Sequence, residues 1–387
     1  MHGSNIATKA PLRIAVAGAG AAGLFCALRL LDAGHEVVIA DPAEPGRGAL
    51  AASGGMLAGG FEAIAETAED HALAEAFAGL ADRAASLWAE RAVRIGGSSD
   101  ALGYERKGSL VPAFSAEQSE RLAVLLDRAR RLGVTARRLT AEEVAASEPG
   151  LAPTLGGLEF PGDGQVDNRA LGPALADAVR LAGGDILKAR VVKLQTFAGR
   201  VTGLALDDGR EIGADLVVLA TGADGIEGAP DTVRMVPVKG QMAAFAAGRP
   251  IAPNRIVRGF SIYLAAKPGG RLFAGATSEP GEASLDTDDA AIERLVEAAR
   301  AVAPGLAAVP VLERWAGLRP MSADAMPVIG EAAPGLIAAT GAYRNGVLLA
   351  PAIAEAVEAI ARTGDAPDWA APFSPARPAL AAVVAHG

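Results

Sequence analysis

The segment "LRIAVAGAGAAGLFCALRLLDAGHEVVIADP", Leu12 to Pro42, constrains the fold more than any other part of this 387-residue chain. Leu12 to Ala17 has the short apolar run of a strand buried in a parallel sheet. Gly18, Gly20 and Gly23 follow with G-x-G-x-x-G spacing. In that spacing the first glycine permits a tight turn, the second lets backbone approach a pyrophosphate, and the third lets helix and strand pack closely. Leu24, Ala27, Leu28 and Leu31 then share one helical face, up to a stop at Gly34. The helix start offers free N–H groups and partial positive charge to phosphate. A second strand, Glu36 to Ala40, ends in Asp41, placed to accept hydrogen bonds from ribose hydroxyls and to repel a 2′-phosphate. Together these parts predict a dinucleotide site, with NAD and FAD both open. Cys26, beside Phe25 on the same helix, reads as a small core residue.

The length allows about two domains. A formal charge of −9 with no basic block argues against nucleic acid or an anionic membrane as the main partner. One cysteine excludes an intrachain disulfide and a cysteine-based metal cluster, and four scattered histidines (His2, His35, His71, His386) suggest no metal motif and no Ser-His-Asp arrangement. The N-terminus, "MHGSNIATKAPLR", lacks the apolar core of a signal peptide. The apolar runs Ile14 to Leu31 and Leu336 to Ala354 are interrupted, the first by three glycines and Arg29, the second by Arg344 and Asn345. Neither reads as a membrane span, so a cytoplasmic protein is expected.

Two later features favour FAD. Gly48 to Gly60, "GALAASGGMLAGG", reads as a small-residue loop whose amides a flavin and its phosphates can approach. The stretch from Gly199 to Gly225 reads as a β-meander: Val201 to Leu206, a turn at Asp207-Asp208-Gly209, Glu211 to Ile212, then an apolar strand from Asp215 to Ala220 ending in Thr221-Gly222. That closing strand and A-T-G recur in two-dinucleotide-binding flavoproteins. Arg319 poses a separate question. It stands between Trp315, Leu318 and a proline, shortly before a buried-looking strand at Pro327 to Gly330. A salt bridge at a core edge and a contact to an anionic substrate both remain open.

These motifs fall in a familiar order: "GAGAAG" with Asp41, "SGGMLA" at Ser53, "ATGADG" at Ala220, "VPVKGQM" at Val236, "GGRLFAGATSEPG" at Gly269, "WAGLRP" at Trp315 and "GAYRNGVLLAP" at Gly341. In this the chain resembles the D-amino-acid oxidase superfamily of FAD-dependent oxidoreductases, most closely its glycine oxidase branch, from residue 12 to about 362. The resemblance implies an α/β FAD-binding domain of Rossmann, two-dinucleotide-binding type, interleaved with an α+β substrate domain built on an antiparallel sheet. The FAD domain is expected at residues 11–85, 160–228 and 325–363, the substrate domain at 86–159 and 229–324, and a surface tail at 364–387. "SAEQSERLAVLLDRARRLGV" reads as an amphipathic helix, and "VKGQMAAFAA", "SIYLAAK" and "RLFAGAT" as short strands.

For site residues the resemblance implies that Arg319 grips a substrate carboxylate at two points, with the Tyr263 hydroxyl beside it and Arg344 near the active site. It implies cofactor contacts from Gly18, Gly20, Ala22, Gly23, Asp41, Ser53, Gly55, Met56, Val192, Thr221, Gly222 and Arg344. Asn345, Gly346, Val347 and Leu348 begin a helix whose N–H groups would face the flavin pyrimidine, where negative charge gathers. With no C-terminal cysteine to link it, FAD should be noncovalent. Ser278 stands where the branch would have methionine, and Ser261 where histidine would be unsurprising, which points to a smaller or more polar pocket. The implied reaction is oxidative deamination of a small amino acid (glycine, sarcosine or a small D-amino acid), with hydride passing from Cα to flavin N5 and dioxygen yielding hydrogen peroxide. Scarce histidine fits, because such hydride transfer needs no protein base. A dehydrogenase on D-amino or N-substituted amino acids, feeding a quinone or other carrier, stays open. So do a non-catalytic flavin-binding protein and a homo-oligomer.

Overall fold

A computed structural model describes residues 10–65 and 71–380. The expectation about the polar N-terminal stretch falls largely outside those residues, as do His2 and His386. Ile14 to Ala17 are fully buried, as an apolar run of small and β-branched residues must be when sheet neighbours and helices cover both faces. The strand they belong to, Arg13–Ala17, lies within a six-stranded sheet. Its order is Val328–Ala333, Leu336–Thr340, Leu216–Leu219, Arg13–Ala17, Glu36–Asp41, Asp185–Lys188. All neighbours are parallel except the first pair.

The first helix, Ala21–Asp32, follows the glycine turn as expected. It is buried almost all round rather than on one face, because the terminal helix Gly346–Thr363 packs against it and Arg29 pairs with Glu358 of that helix at 3.3 Å. The β-meander is only half realised. Arg200–Leu206 and Glu211–Gly213 join Val191–Phe197 in a small antiparallel sheet, but Leu216–Leu219 leaves it to pair in parallel with Arg13–Ala17. Its four apolar side chains belong in a two-faced core, which a small exposed sheet cannot provide. The small-residue loop is corrected as well. It contains a helical turn, Ala49–Ala52, an extended pair, Met56–Leu57, and the start of the helix Gly59–Ala65.

The second large sheet has nine strands and pairs antiparallel apart from one parallel contact, Ile256–Arg258 beside Ser109–Pro112. Its longest strands, Val236–Ala246 and Val311–Met321, lie antiparallel with Val238 opposite Arg319 and Met242 opposite Trp315. Tyr263–Lys267 and Arg271–Gly275 extend it, Tyr263 opposite Gly275 and Gly275 opposite Met242. The predicted amphipathic helix is Ala116–Arg131, its N-terminus capped by Ser115. The helix His71–Gly96 runs unbroken past residue 85, where a domain junction was expected.

Of the expected surface tail, the described residues 368–380 are docked against the rest of the chain. Asp368–Phe373 forms a 3₁₀ turn with Phe373 fully buried, and Arg377 is buried in an ion pair with Asp324 at 2.8 Å. Arg377 also donates to the carbonyls of Met326, Pro327 and Phe373. Pro and Ala composition suggested exposure, yet the few large residues in the segment supply anchors.

Candidate active site

A cavity of ≈480 Å³ draws its walls from both large sheets. From the six-stranded side come Gly18 to Ala22, Asp41, Thr221 and Gly222. Backbone does most of the work here. Gly18 sits at φ +105° with the Ala220 carbonyl so near that a Cβ would lie 2.4 Å from its oxygen. At Gly23 a Cβ would lie 1.9 Å from the Gly18 carbonyl oxygen, which is the close helix–strand packing the third glycine provides. Gly20 is different: nothing stands within 4 Å of the place its Cβ would occupy, and it opens on the cavity. The helix behind it has no side-chain cap and no acid in its first turn, so its leading N–H groups remain available to an anion. Asp41 accepts from the Ala19 amide at 2.7 Å and the Ala43 amide at 2.8 Å, which fixes its carboxylate at the cavity wall. These features fit a dinucleotide.

From the nine-stranded side come Arg319, Tyr263, Met242, Gly240 and Thr277. Glycine makes the room again, now for side chains. A Cβ on Gly240 would lie 2.2 Å from the Arg319 guanidinium, and one on Gly275 or Gly54 would lie 2.7 Å from the Tyr263 hydroxyl. Arg319 donates to the Thr277 carbonyl at 3.1 Å, and no carboxylate of a described residue lies within 4 Å of it. Burial lowers its pKa from the ordinary arginine value, and the like charge of Arg344 lowers it further. The Tyr263 hydroxyl, buried and pushed up in pKa by desolvation, donates only to the Met242 sulfur at 3.2 Å. A salt bridge for Arg319 therefore finds no partner among the described residues.

The loop carrying Ser53 is fastened between the two sides. Trp315 Nε1 donates to the Ala52 carbonyl at 2.9 Å, and Ser53 Oγ bonds the Leu50 carbonyl at 2.8 Å and the Gly55 amide at 3.2 Å. Gly55 itself packs against the Val166 carbonyl, to which buried Lys267 also donates at 2.9 Å. Ser53, Met56, Arg344, Gly346 and Val347 line the cavity. Gly23, Gly55, Val192, Asn345 and Leu348 do not. Val192 points to solvent, and its neighbour Val191 takes the lining position. Leu348 is buried, its carbonyl accepting from Trp88 Nε1 at 3.0 Å. Ser261 lines a second cavity of ≈350 Å³, and Ser278 stands outside both, 3.3 Å from the hydroxyl of Tyr343.

Glu62 escaped the sequence reading. It lines the main cavity from the helix Gly59–Ala65 and ion-pairs with Arg258 at 2.5 Å, both side chains about 4% exposed. "FEAIAETAED" resembles an ordinary acidic helix, and nothing in its spacing marks Glu62 as inward. Gly240 and Gly275 were detectable, since a glycine inside a strand pattern signals close approach by another group. Buried Cys26 has its thiol pushed far up by desolvation, which bears out its reading as core. Among the described residues no group of three or more His, Cys, Asp or Glu is placed to hold a metal. No helix among them is long and apolar enough to cross a membrane.

Comparison with known proteins adds an independent line. The family described as FAD dependent oxidoreductase matches residues 13–360. Glycine oxidase of Geobacillus kaustophilus (strain HTA426) is 30% identical over 346 residues, covering 87% of this chain and 89% of that one. A solved glycine oxidase structure from Geobacillus kaustophilus superposes with TM-score 0.84 at 29% identity, covering 95% of this chain and 99% of that one. Iminodiacetate oxidase from Chelativorans sp. BNC1 superposes with TM-score 0.81 at 26% identity, covering 94% and 99%.

Proposed function

The chain belongs to the family of FAD-dependent oxidoreductases, and on that premise we propose that it oxidises the Cα–N bond of a small amino acid held by Arg319 and Tyr263. The observation that carries this reading is a cavity-lining arginine with no carboxylate within 4 Å among the described residues. A guanidinium placed so, over Gly240, offers two parallel N–H donors to a planar carboxylate. The Tyr263 hydroxyl supports it. A thioether is a weak acceptor, so turning that hydroxyl from Met242 to a substrate carboxylate sacrifices little.

Gly18, Gly20, Ala22 and Asp41 would hold the dinucleotide, with Ser53, Met56, Thr221 and Gly222 lining its path. Noncovalent attachment fits a chain whose one thiol, Cys26, is sealed in the core. FAD, when bound, would supply the acceptor for the hydride leaving carbon, which carries both electrons of the oxidation. The chain's own part is to orient the Cα–H by fixing the carboxylate. Its second part is to place positive potential at the start of the helix Gly346–Thr363, which lacks a side-chain cap. No histidine lines the cavity among the described residues, in keeping with a reaction that asks the protein for no strong base. We assign the nine-stranded sheet to substrate and the six-stranded sheet to cofactor. The substrate class includes glycine and sarcosine, with Ser261 leaving room beyond them, and the second product is hydrogen peroxide.

The test is anaerobic titration of the purified yellow protein with glycine, sarcosine, D-alanine and N-carboxymethylglycine, followed by air. Bleaching by an amino acid, then rapid recolouring with one peroxide per turnover, is the expected result. No bleaching by any of the panel refutes the amino-acid reading, and bleaching without recolouring in air refutes the oxidase part alone.

A further inference from the structure

Among the described residues, the acids that line the main cavity are Asp41, Glu44, Glu62 and Asp224, and of these Glu62 alone is buried. Its two oxygens are treated differently. Arg258, stacked 4.0 Å above the Phe61 ring, pairs with Oε1. Oε2 is buried and has no hydrogen-bond partner among the described residues. A carboxylate oxygen left in that state is costly unless a ligand or water completes it.

The helix that carries Glu62, Gly59–Ala65, is fastened on its far side. Buried Asp163 accepts from the Gly60 amide at 2.8 Å and from Ser109 Oγ at 2.6 Å, and Phe61 meets the Phe160 ring edge-on at 5.9 Å. Glu62 is therefore held in place from behind. Burial dominates the pKa shifts of Tyr263 and Arg319, and the Glu62 charge acts on both, so its carboxylate lies within electrostatic reach of the clamp. An amino acid gripped by its carboxylate has its nitrogen one carbon further on. As hydride leaves Cα, the nitrogen lone pair closes the C=N bond and positive charge gathers on nitrogen, making its N–H a stronger donor. An acceptor placed there binds the transition state more tightly than the ground state. A lone carboxylate would also keep the substrate's ammonium protonated and its lone pair blocked. Arg258 prevents this by balancing the charge of Glu62.

We propose that Glu62 Oε2 accepts the N–H of the substrate's amine, so that the enzyme selects amino acids whose neutral nitrogen carries at least one hydrogen and discriminates against tertiary amines. The proposal rests on the reading of Arg319 as the carboxylate clamp. Arg319 fixes one end of the substrate and Glu62 the other. Two anchors flanking one carbon set the rotation of Cα, and with it which hydrogen departs. The hydride carries both electrons away from Cα, and the nitrogen keeps its proton. Water then splits the iminium into an oxo acid and an amine.

Two isomers separate hydrogen bonding from size: N-ethylglycine, whose nitrogen carries a hydrogen, and N,N-dimethylglycine, whose neutral nitrogen carries none. Anaerobically, N-ethylglycine should reduce the flavin of the holoenzyme at least about tenfold faster than its isomer, as expected for one charge-assisted bond. Glu62→Gln would turn its amide oxygen to Arg258 and its NH2 to the cavity. It should slow reduction by glycine and by N-ethylglycine at least about tenfold and bring the two isomers within about threefold of each other. Acetate, which offers the carboxylate alone, should perturb the flavin spectrum and bind the variant no more weakly than wild type. Equal rates for the two isomers in wild type, or glycine reduction untouched by Glu62→Gln, would overturn the role of Glu62, while acetate binding and glycine bleaching keep the clamp standing. Should the variant lose its flavin, the isomers decide in wild type; should neither isomer react, glycine decides in the variant. If acetate does not bind and none of the amino acids bleaches the flavin, the clamp falls and the role of Glu62 with it.

Discussion

The two walls of the main cavity solve the same problem with different material. On the six-stranded side, Gly18, Gly20 and an uncapped helix start present backbone, Gly23 packs helix on strand behind them, and Asp41 is fixed at the wall by two amides. On the nine-stranded side, Gly240 and Gly275 are cleared so that Arg319 and Tyr263 can enter. Backbone recognition needs a fixed spacing within one βαβ unit and leaves a signature in about thirty residues. Side-chain recognition assembles residues from Val236–Ala246, Tyr263–Lys267 and Val311–Met321, so its parts are about eighty residues apart in sequence and adjacent only across a sheet. The first kind of wall suits a cofactor that stays the same. The second can change its ligand by a single substitution.

Breaking the backbone wall should have the largest effect. Gly20→Val is expected to give folded protein with almost no FAD, because its side chain enters open space that the pyrophosphate requires. Gly23→Val should lose fold and flavin together, since its Cβ meets the Gly18 carbonyl. The ratio of flavin to protein absorbance, with thermal melts, separates the two. A yellow Gly20→Val protein would end the distinction between walls.

Arg319→Ala tests the other wall. Losing a desolvated, charge-assisted contact should weaken carboxylate binding by about 2–5 kcal/mol, or roughly 30- to several-thousand-fold in Kd. Arg319→Lys should recover only part of this, because a point charge lacks the two-point fit. FAD content and melting temperature should hold. A variant that melts early yet binds its substrates normally would make Arg319 structural.

Lys267 reaches from the nine-stranded sheet to the Val166 carbonyl beside Gly55, outside both walls, and burial brings its pKa down to about 7. Above pH 7 the native state has given up a proton that the unfolded chain keeps until its ordinary value of 10.5. Unfolding then takes up a proton, so this group's contribution to stability rises with pH between about 7 and 10, by at most about 1.4 kcal/mol per pH unit. Urea unfolding at pH 6, 7.5 and 9 should show wild type gaining on Lys267→Met as pH rises. A constant gap would mean that the amine stays charged.

The smallest change is Tyr263→Phe. It removes one hydroxyl and leaves the ring between Gly54 and Gly275, so substrate Kd should rise about fivefold, near 1 kcal/mol, with no change in melting temperature. A loss as large as that of Arg319→Ala would show that the two act as one unit.

Legibility follows the same division. The glycine spacing and Asp41 could be read because a tight turn admits few residues, and "WAGLRP" could be read because a charge amid apolar residues is conspicuous. The Glu62–Arg258 pair was hidden, since its members are 196 residues apart and neither stretch departs from ordinary helix or strand composition. Val192, which the resemblance puts at the cofactor, has an exposed side chain while its neighbour Val191 lines the cavity, because successive side chains of a strand face opposite ways. The route of Leu216–Leu219 depended on which sheet offered it two covered faces, which no local pattern states.

The docking of residues 368–380 sets a lower limit on the length of chain that can work. The family match ends at residue 360 and the terminal helix at Thr363, so a cloning boundary drawn by either would stop before Phe373 and Arg377. Such a cut would leave Asp324 without its cation, four residues before the first strand of the six-stranded sheet, and expose the apolar seat of Phe373. An expression tag fused there would fail for reasons that look like misfolding of the flavin site, although every residue of that site would be intact. The shortest faithful version of this enzyme runs at least to Leu380, which is itself buried.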